Sequence, residues 1–311
     1  MNKTALSVTV GAMLLGVTAT DGWAQSLRFA GGPQGGAWYP LSGALQGLIE
    51  SSVPGTSVQV QPGAGVSNVI AISTRQADLG LGNAVTTAEG LAGKEPFPAA
   101  QDNVCQLATL YFSYFHVITT TDGNITSMED IRGRRLTTAA RGNTGEALTR
   151  SLLLEHGISY DDLASVVYGS FSDSVSQMKD GHVEVFTAFT TVPSGAVMDL
   201  ASARDIRILH PDPARIEAMT AASPGLNARD IPAGQYPNQA DPVPSFGTWT
   251  HLMARCDLDE QLAHDITAAV AASLPNLTNV VAAIGGTLPE DLKTDIGVPM
   301  HPGAQRFFDA N

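Results

Sequence analysis

Segments with the hydrophobic periodicity of β-strands alternate along this chain with segments that have the periodicity of helices. The segments "SLRFA", "TSVQVQP" and "ADLGLGN" have the short, alternating pattern of β-strands. Glycine-containing loops lead from the first two into segments with apolar residues at helical spacing, such as Leu41, Leu45, Leu48 and Ile49. Strands and helices that alternate in this way predict an α/β fold with a mostly parallel sheet and helices on its faces.

The longest β-type run, "VCQLATLYFSYFHVITT", has 17 residues, whereas an ordinary strand has about five or six. A strand of this length can begin in one domain and end in the next, and the βα pattern restarts after it. "SFGTWTHLMARC" then returns as a second long strand. We therefore expect a hinge of two crossing strands between domain I, residues 26–112 and 245–311, and domain II, residues 113–244. Residues 206–244, rich in proline and turn formers, are expected to cover domain II with one short helix.

The first 24 residues have the pattern of a secretory signal peptide. An early lysine precedes an apolar stretch from Ala5 to about Ala19, and small residues follow at Gly22 and Ala24. A membrane anchor is the alternative, but this stretch is shorter than the ~20 residues that a bilayer requires, and glycines and threonines dilute it. We expect cleavage after Ala24 and a soluble protein exported to the periplasm.

The composition excludes several partners. The net charge of −13 repels nucleic acids and anionic membranes, so neither is expected to bind. The seven histidines are scattered without the spacing of metal ligands, so we expect no metal and no other cofactor. Cys105 begins the outgoing long strand and Cys256 ends the returning one, which makes them a candidate disulfide if the strands are antiparallel neighbours; two buried free thiols are the alternative.

Motifs of hydrolases and nucleotide-binding enzymes are absent from the sequence. "GAGVSNV" comes close to the G-x-S-x-G turn of serine hydrolases but has Asn68 where a glycine is required. Neither H-E-x-x-H, C-x-x-C nor a P-loop occurs. The chain is therefore not predicted to be an enzyme.

Three glycine-containing loops, each between a strand and a helix, predict a binding site instead. The amino ends of helices offer free N–H groups to an anion, and ligands bind at the carboxyl edge of parallel strands. In "GGPQGGAWYP", Gly36 lets the backbone approach a carboxylate, and two aromatic residues would form the walls. The predicted ligand-binding residues are Gly36, Trp38, Tyr39, Ser67, Asn68 and Asn83 of domain I and Arg141, Asn143 and Thr144 of domain II. Core aromatics, helix caps and a solvated loop are the structural alternatives for these residues.

Several segments carry a resemblance to a known family. "GGAWYPLSGAL", "GAGVSNV" and "ADLGLGNA" are followed by "LYFSYFHVI", "DIRGRRL", "GNTGE", "MKDGHVEVFTAF" and the terminal "MHPGAQRFF". In this order they resemble the TAXI family, the solute-binding subunits of TRAP-type transporters, over essentially the whole mature chain. The resemblance implies a two-domain, hinged fold like that of type II periplasmic binding proteins. It also implies a small organic acid ligand, such as glutamate or a four- or five-carbon dicarboxylate, delivered to a TRAP membrane permease.

Two alternatives to transport stay open at this point. An exported enzyme could act on a small carboxylate with the same two-domain scaffold, or a sensor could present the bound ligand to a membrane kinase. An enzyme turns its ligand over, whereas a receptor leaves it unchanged. We expect a monomer in each case.

Overall fold

A ten-stranded sheet runs through the computed structural model, which describes residues 25–311. The predicted signal peptide, residues 1–24, lies outside the described residues. The strands are β1 (Gln25–Ala30), β2 (Thr56–Gln61), β3 (Leu79–Asn83), β4 (Cys105–Thr120), β5 (Arg135–Ala139), β6 (Ser165–Gly169), β7 (Val185–Thr190), β8 (Ile206–Leu209), β9 (Asn227–Ala228) and β10 (Phe246–Ala254).

The strand order corrects the prediction of a mostly parallel sheet. The main path is β2-β1-β3-β10-β4-β7-β5-β6, with β8 beside β4 and β9 beside β10. Parallel pairing is confined to β1 with β2 and β3, and to β5 with β6 and β7. The long strands β4 and β10 are antiparallel to each other and to their other neighbours. The chain crosses the molecule on β4 and returns on β10, and this reversal places antiparallel strands at the centre.

Helices pack against the sheet on both sides of this crossing. They are α1 (Trp38–Ser52), α2 (Gly65–Ser73), α3 (Ala84–Leu91), α4 (Thr144–Glu155), α5 (Phe171–Lys179), α6 (Gly195–Ala203), α7 (Pro213–Ala222), α8 (Glu260–Ala272), α9 (Leu274–Thr278) and α10 (Pro302–Ala310). Their boundaries follow local signals: the Asn143 side chain caps α4, and Gly157, at φ +68°, follows its end. None of the described helices has the length and apolar character needed to cross a membrane.

Residues 206–244 contain more regular structure than the sequence indicated. The expected short helix is α7, with Pro213 at its start. The segment also contains β8, which pairs with β4 over four residues from Val117 to Thr120. A four-residue strand leaves too short a pattern for its periodicity to be recognised among prolines.

The hydrophobic core divides where β4 crosses the molecule. Leu110 and Tyr111 pack in one core with α1 and α8, whereas Phe112 and Phe115 pack in the cores beyond. We call residues 25–111 and 250–311 lobe I and residues 112–249 lobe II. This division lies close to the predicted domains, whose exact limits stay a prediction.

The paired ends of β4 and β10 carry the two cysteines. Cys105 lies opposite Ala254 in the antiparallel register, which brings Cys256 next to it. The sulfurs of Cys105 and Cys256 are bonded to each other across a sequence separation of 151 residues. The described chain therefore has a covalent link at the outer end of lobe I, far from the crossing into lobe II.

Candidate ligand-binding site

A cavity lies between the two lobes. It is bounded by the loop after β1, the starts of α1, α2, α4 and α5, the ends of β3 and β7, and the middle of β4. Its lining residues are Pro33, Gly36, Ala37, Trp38, Gly65, Asn83, Tyr111, Ser113, Asn143, Phe171, Phe189 and Thr190. Of the nine residues predicted to bind ligand, Gly36, Trp38, Asn83 and Asn143 line it.

The loop before α1 has glycines at positions 35 and 36 because lobe II approaches its backbone closely. Gly35 has φ +78°, a left-handed conformation that favours glycine, and a Cβ there would lie 2.5 Å from Ser172 Oγ. A Cβ on Gly36 would lie 2.9 Å from Cε2 of Phe171. The glycines thus let the loop meet the start of α5, and Gly36 also contributes backbone surface to the cavity.

Free backbone donors lie at the start of α1. Its N-cap residue, Ala37, provides no side-chain cap, and the amides of Ala37 and Trp38 donate to no acceptor among the described residues. Both residues line the cavity. Because the amino end of a helix carries a partial positive charge, these amides are suited to an anionic group.

Of the two aromatic residues predicted to form the walls, the structure places only Trp38 at the cavity. Trp38 is half-buried and lines the cavity, whereas Tyr39 is 59% exposed and does not. Successive helical residues point about 100° apart, and the side chain of Tyr39 points away from the space that Trp38 lines. Trp38 alone supplies the aromatic wall on this side.

Tyr111 is a cavity residue that the sequence did not reveal. It is 1% exposed, and its hydroxyl has no hydrogen-bond partner among the described residues, although Thr250 and the Trp38 side chain lie near it. Burial raises the pKa of Tyr111, so the hydroxyl keeps its proton and can donate. Tyr111 stands in the apolar run of β4, where nothing in the sequence distinguishes a cavity tyrosine from a core one.

Thr144, a predicted ligand-binding residue, connects the two lobes through its hydroxyl. Its Oγ1 accepts a hydrogen bond from Nδ2 of Asn83 at 3.0 Å and lies 2.8 Å from Oγ1 of Thr86. Close by, the Val66 amide donates to the carbonyl of Gly142 at 3.0 Å. We call the hydrogen bonds of Thr144 with Asn83 and Thr86 the Thr144 contact. It joins the start of α4 in lobe II to lobe I, and its hydroxyl is fully engaged.

Ser67 and Asn68, two of the predicted ligand-binding residues, do not line the cavity and bond to the protein itself. Ser67 is exposed, and its hydroxyl bonds the amide and the carbonyl of Ala64 at 3.0 Å each. Asn68 is buried; its Nδ2 donates to the carbonyls of Gly31 and Leu81, and its Oδ1 accepts from the Ala64 amide. Asn68 therefore ties the ends of β1 and β3 to the second glycine loop and has no donor left for a ligand.

Arg141, another predicted ligand-binding residue, lies outside the cavity lining. It is exposed, its guanidinium carbon lies 5.0 Å from the ring centroid of Tyr168, and its Nη2 donates to the Tyr168 hydroxyl at 3.3 Å. The interaction with Tyr168 raises the pKa of Arg141. The arginine thus packs on lobe II at the outer edge of the cleft. Within residues 25–311, no cluster of His, Cys, Asp and Glu has the arrangement of a metal site.

The fold defines a class of protein: the two-lobed α/β fold of periplasmic binding proteins. It matches a periplasmic transporter (TM-score 0.56, 15% identity, 92% of this chain and 93% of that one). It also matches PhnD1 from Prochlorococcus marinus in complex with methylphosphonate (0.53, 12%, 92% and 89%). A third match is a putative L-cystine ABC transporter from Listeria monocytogenes (0.51, 13%, 86% and 99%). At these identities the likeness concerns the fold.

The family follows from the sequence itself. Residues 29–310 match the NMT1-like family, and the chain belongs to that family.

Proposed function

We propose that this protein is the extracytoplasmic solute-binding subunit of a TRAP-type transporter of the TAXI branch. It captures a small organic acid in the cavity between the lobes and delivers it to a membrane permease. The NMT1-like family membership, the fold and the resemblance of the ordered motifs support this proposal. The resemblance implies glutamate or a four- or five-carbon dicarboxylate as the ligand.

One observation carries the proposal: donors at the cavity, among them the buried hydroxyl of Tyr111, lack acceptors among the described residues. The Tyr111 hydroxyl and the amides of Ala37 and Trp38 have no partner among the described residues, and all three residues line the same space. A buried donor that lacks an acceptor costs about 1–3 kcal/mol. A bound anion would remove this penalty for several donors at once, which is the behaviour expected of a receptor site.

The two strands that cross between the lobes suit a receptor that closes on its ligand. The lobes meet through the Thr144 contact and through the approach of Gly35 and Gly36 to α5. Breaking these contacts would open the cavity while β4 and β10 remain continuous, which is the geometry of a hinge. The domain division at 112/113 and 244/245 is part of this proposal.

The proposal places the mature protein in the periplasm as a monomer, with a TRAP permease as its partner. A receptor of this kind carries its ligand without changing it. The small polar solutes named for proteins of the same fold, methylphosphonate and L-cystine, support a small ligand for this cleft.

Native mass spectrometry of protein released from its own periplasm tests the proposal. We expect a mass increase equal to one small organic acid, which denaturation releases unchanged. Gly36→Val should lose the added mass because the new side chain meets Phe171 and the cavity. A chemically altered ligand would support an exported enzyme instead. Release of a compound without a carboxylate would overturn the organic acid assignment.

A further inference from the structure

The cavity is lined by neutral residues, although the proposed ligand is an acid. Among the described residues that line it there is no Asp, Glu, Lys, Arg or His. Two adjoining spaces in the cleft, one beside Gln34 and Ser170 and one beside Pro40 and Val280, likewise have no such residue in the described lining. The charged groups of the cleft line a separate space further out and are Glu95, Arg141, Glu146 and Arg150.

We propose that the ligand is a small monocarboxylate with an apolar body, and that Tyr111 donates a hydrogen bond to its carboxylate. This inference rests on the proposed function as an acid receptor and narrows its substrate class. It differs from the amino acids and dicarboxylates that the sequence resemblance implies.

The cavity offers hydrogen-bond donors to a single carboxylate. The free amides of Ala37 and Trp38 lie at the positive end of α1, a helix of 15 residues. The Tyr111 hydroxyl, buried and unpartnered, lines the same space. Together they form a set of neutral donors that can hold one carboxylate without an arginine.

A second charged group on the ligand would find no side chain of opposite charge in the described lining. A dicarboxylate would bury another anion with no cationic side chain in the lining, and an amino acid would bury an ammonium group with no carboxylate. Burying an unpaired charge is strongly unfavourable. The rings of Trp38, Phe171 and Phe189 also line the cavity and can accept an apolar body. The side chains of Asn83, Ser113 and Asn143, which share the lining with Thr190, are engaged in hydrogen bonds within the protein.

Calorimetry with matched acids tests the substrate class. Pentanoate, hexanoate and benzoate are compared with glutarate, glutamate and the neutral pentanamide. We expect at least one monocarboxylate to bind at least tenfold more tightly than all three comparison compounds. Tighter binding of glutarate or glutamate would overturn the monocarboxylate inference while leaving the acid receptor intact. Equal binding of pentanamide would remove the carboxylate from recognition, and binding of none of the six would contradict the inference as well.

Tyr111→Phe tests the residue with the same acids. It removes the hydroxyl and keeps the ring, so monocarboxylate affinity should fall ten- to a hundredfold. Because the hydroxyl has no hydrogen-bond partner among the described residues, although Thr250 and Trp38 lie near it, the unliganded variant should be about as stable as the wild type in urea. A purely structural hydroxyl would show the reverse pattern, with reduced stability and unchanged affinity.

Tyr236→Phe is the matched control. The Tyr236 hydroxyl is also buried, but it bonds His116 Nε2 and the Ser194 amide, both at 2.9 Å, away from the cavity lining. This variant should lose stability and keep the wild-type affinity. If both tyrosine variants behave alike, Tyr111 has no special role in recognition.

Discussion

The side-chain amide of Asn83 in lobe I donates a hydrogen bond of 3.0 Å to the hydroxyl of Thr144 in lobe II. Both residues are buried, and Asn83 also lines the cavity. The bond therefore joins the lobes beside the candidate site, where a ligand in the cavity would lie next to the same amide group.

The first prediction is that Thr144→Ala weakens ligand binding through closure. The change removes the shared partner of the buried Asn83 amide and the Thr86 hydroxyl. Because these bonds exist only when the lobes are together, their loss destabilises the closed form. The affinity for the acid that co-purifies should fall about tenfold, and small-angle scattering should show less compaction on binding. Thr144→Ser keeps the hydroxyl and should resemble the wild type. An unchanged affinity in Thr144→Ala would separate this contact from binding.

The second prediction concerns Gly65, which faces Thr144 across the lobes. A Cβ at this position would lie 1.9 Å from Thr144 Oγ1, far inside contact distance. Gly65→Ala should therefore prevent this closure and weaken binding at least tenfold, while lobe I folds normally because the overlap is with lobe II.

Gly43→Ala is the control for this glycine substitution. Gly43 lies in α1, is exposed, and a Cβ there would meet nothing within 4 Å. It should raise stability by up to about 1 kcal/mol and leave binding unchanged. The loss of ligand affinity caused by Gly65→Ala should also be smaller in a Thr144→Ala background, because the oxygen that overlaps with the new Cβ is absent there. Additive effects would contradict the proposed overlap.

Much of the fold could be predicted from the sequence because its signals are local. The strand–glycine loop–helix units, the long strand β4 and the return on β10 all follow from periodicity and turn residues. The antiparallel centre of the sheet could not be predicted in the same way. Strand direction depends on the path of the whole chain, and residues 206–244 hide β8 among prolines.

The candidate site could be predicted only in part. The predicted site residues Gly36, Trp38 and Asn143, at or beside helix starts, line the cavity, and their role in ligand binding stays a prediction. Side-chain roles depend on contacts between distant segments. The Asn68 side chain donates its hydrogen bonds to carbonyls at the ends of β1 and β3, and Arg141 packs on Tyr168. Tyr111 shows the opposite case, because its free hydroxyl is visible only when its surroundings are known.

The third prediction concerns the Cys105–Cys256 disulfide. Because the bond closes a loop of 151 residues, it restricts the unfolded chain, and its removal should lower the free energy of unfolding by roughly 2–5 kcal/mol. Urea unfolding with and without dithiothreitol measures the loss. The Cys105→Ala/Cys256→Ala variant should start from the lower stability and be insensitive to the reductant. Two free thiols in the unfolded, unreduced protein would show that the bond is absent.

The fourth prediction is a loss of stability on mild acidification, caused by two buried histidines. Burial lowers the pKa of His116 to about 4 and that of His251 to about 3, from the ordinary 6.5. In His116, the Nε2 atom lies 2.9 Å from the Tyr236 hydroxyl and Nδ1 3.1 Å from the carbonyl of Tyr114. These bonds suit a neutral ring, so the folded state resists protonation.

The sign of the effect follows from proton uptake. Between pH 6.5 and the folded-state pKa values the unfolded chain binds more protons than the native protein, so stability falls as the pH falls. From about pH 7 to about pH 5 each histidine should contribute a loss of roughly 2 kcal/mol. Asp78, whose pKa is lowered by its bonds to Arg28 despite an opposing burial effect, adds its loss only at lower pH. Urea unfolding at the two pH values measures the difference. His251→Gln should reduce the acid loss by about half, and an equal loss in wild type and variant would exclude His251 as its source.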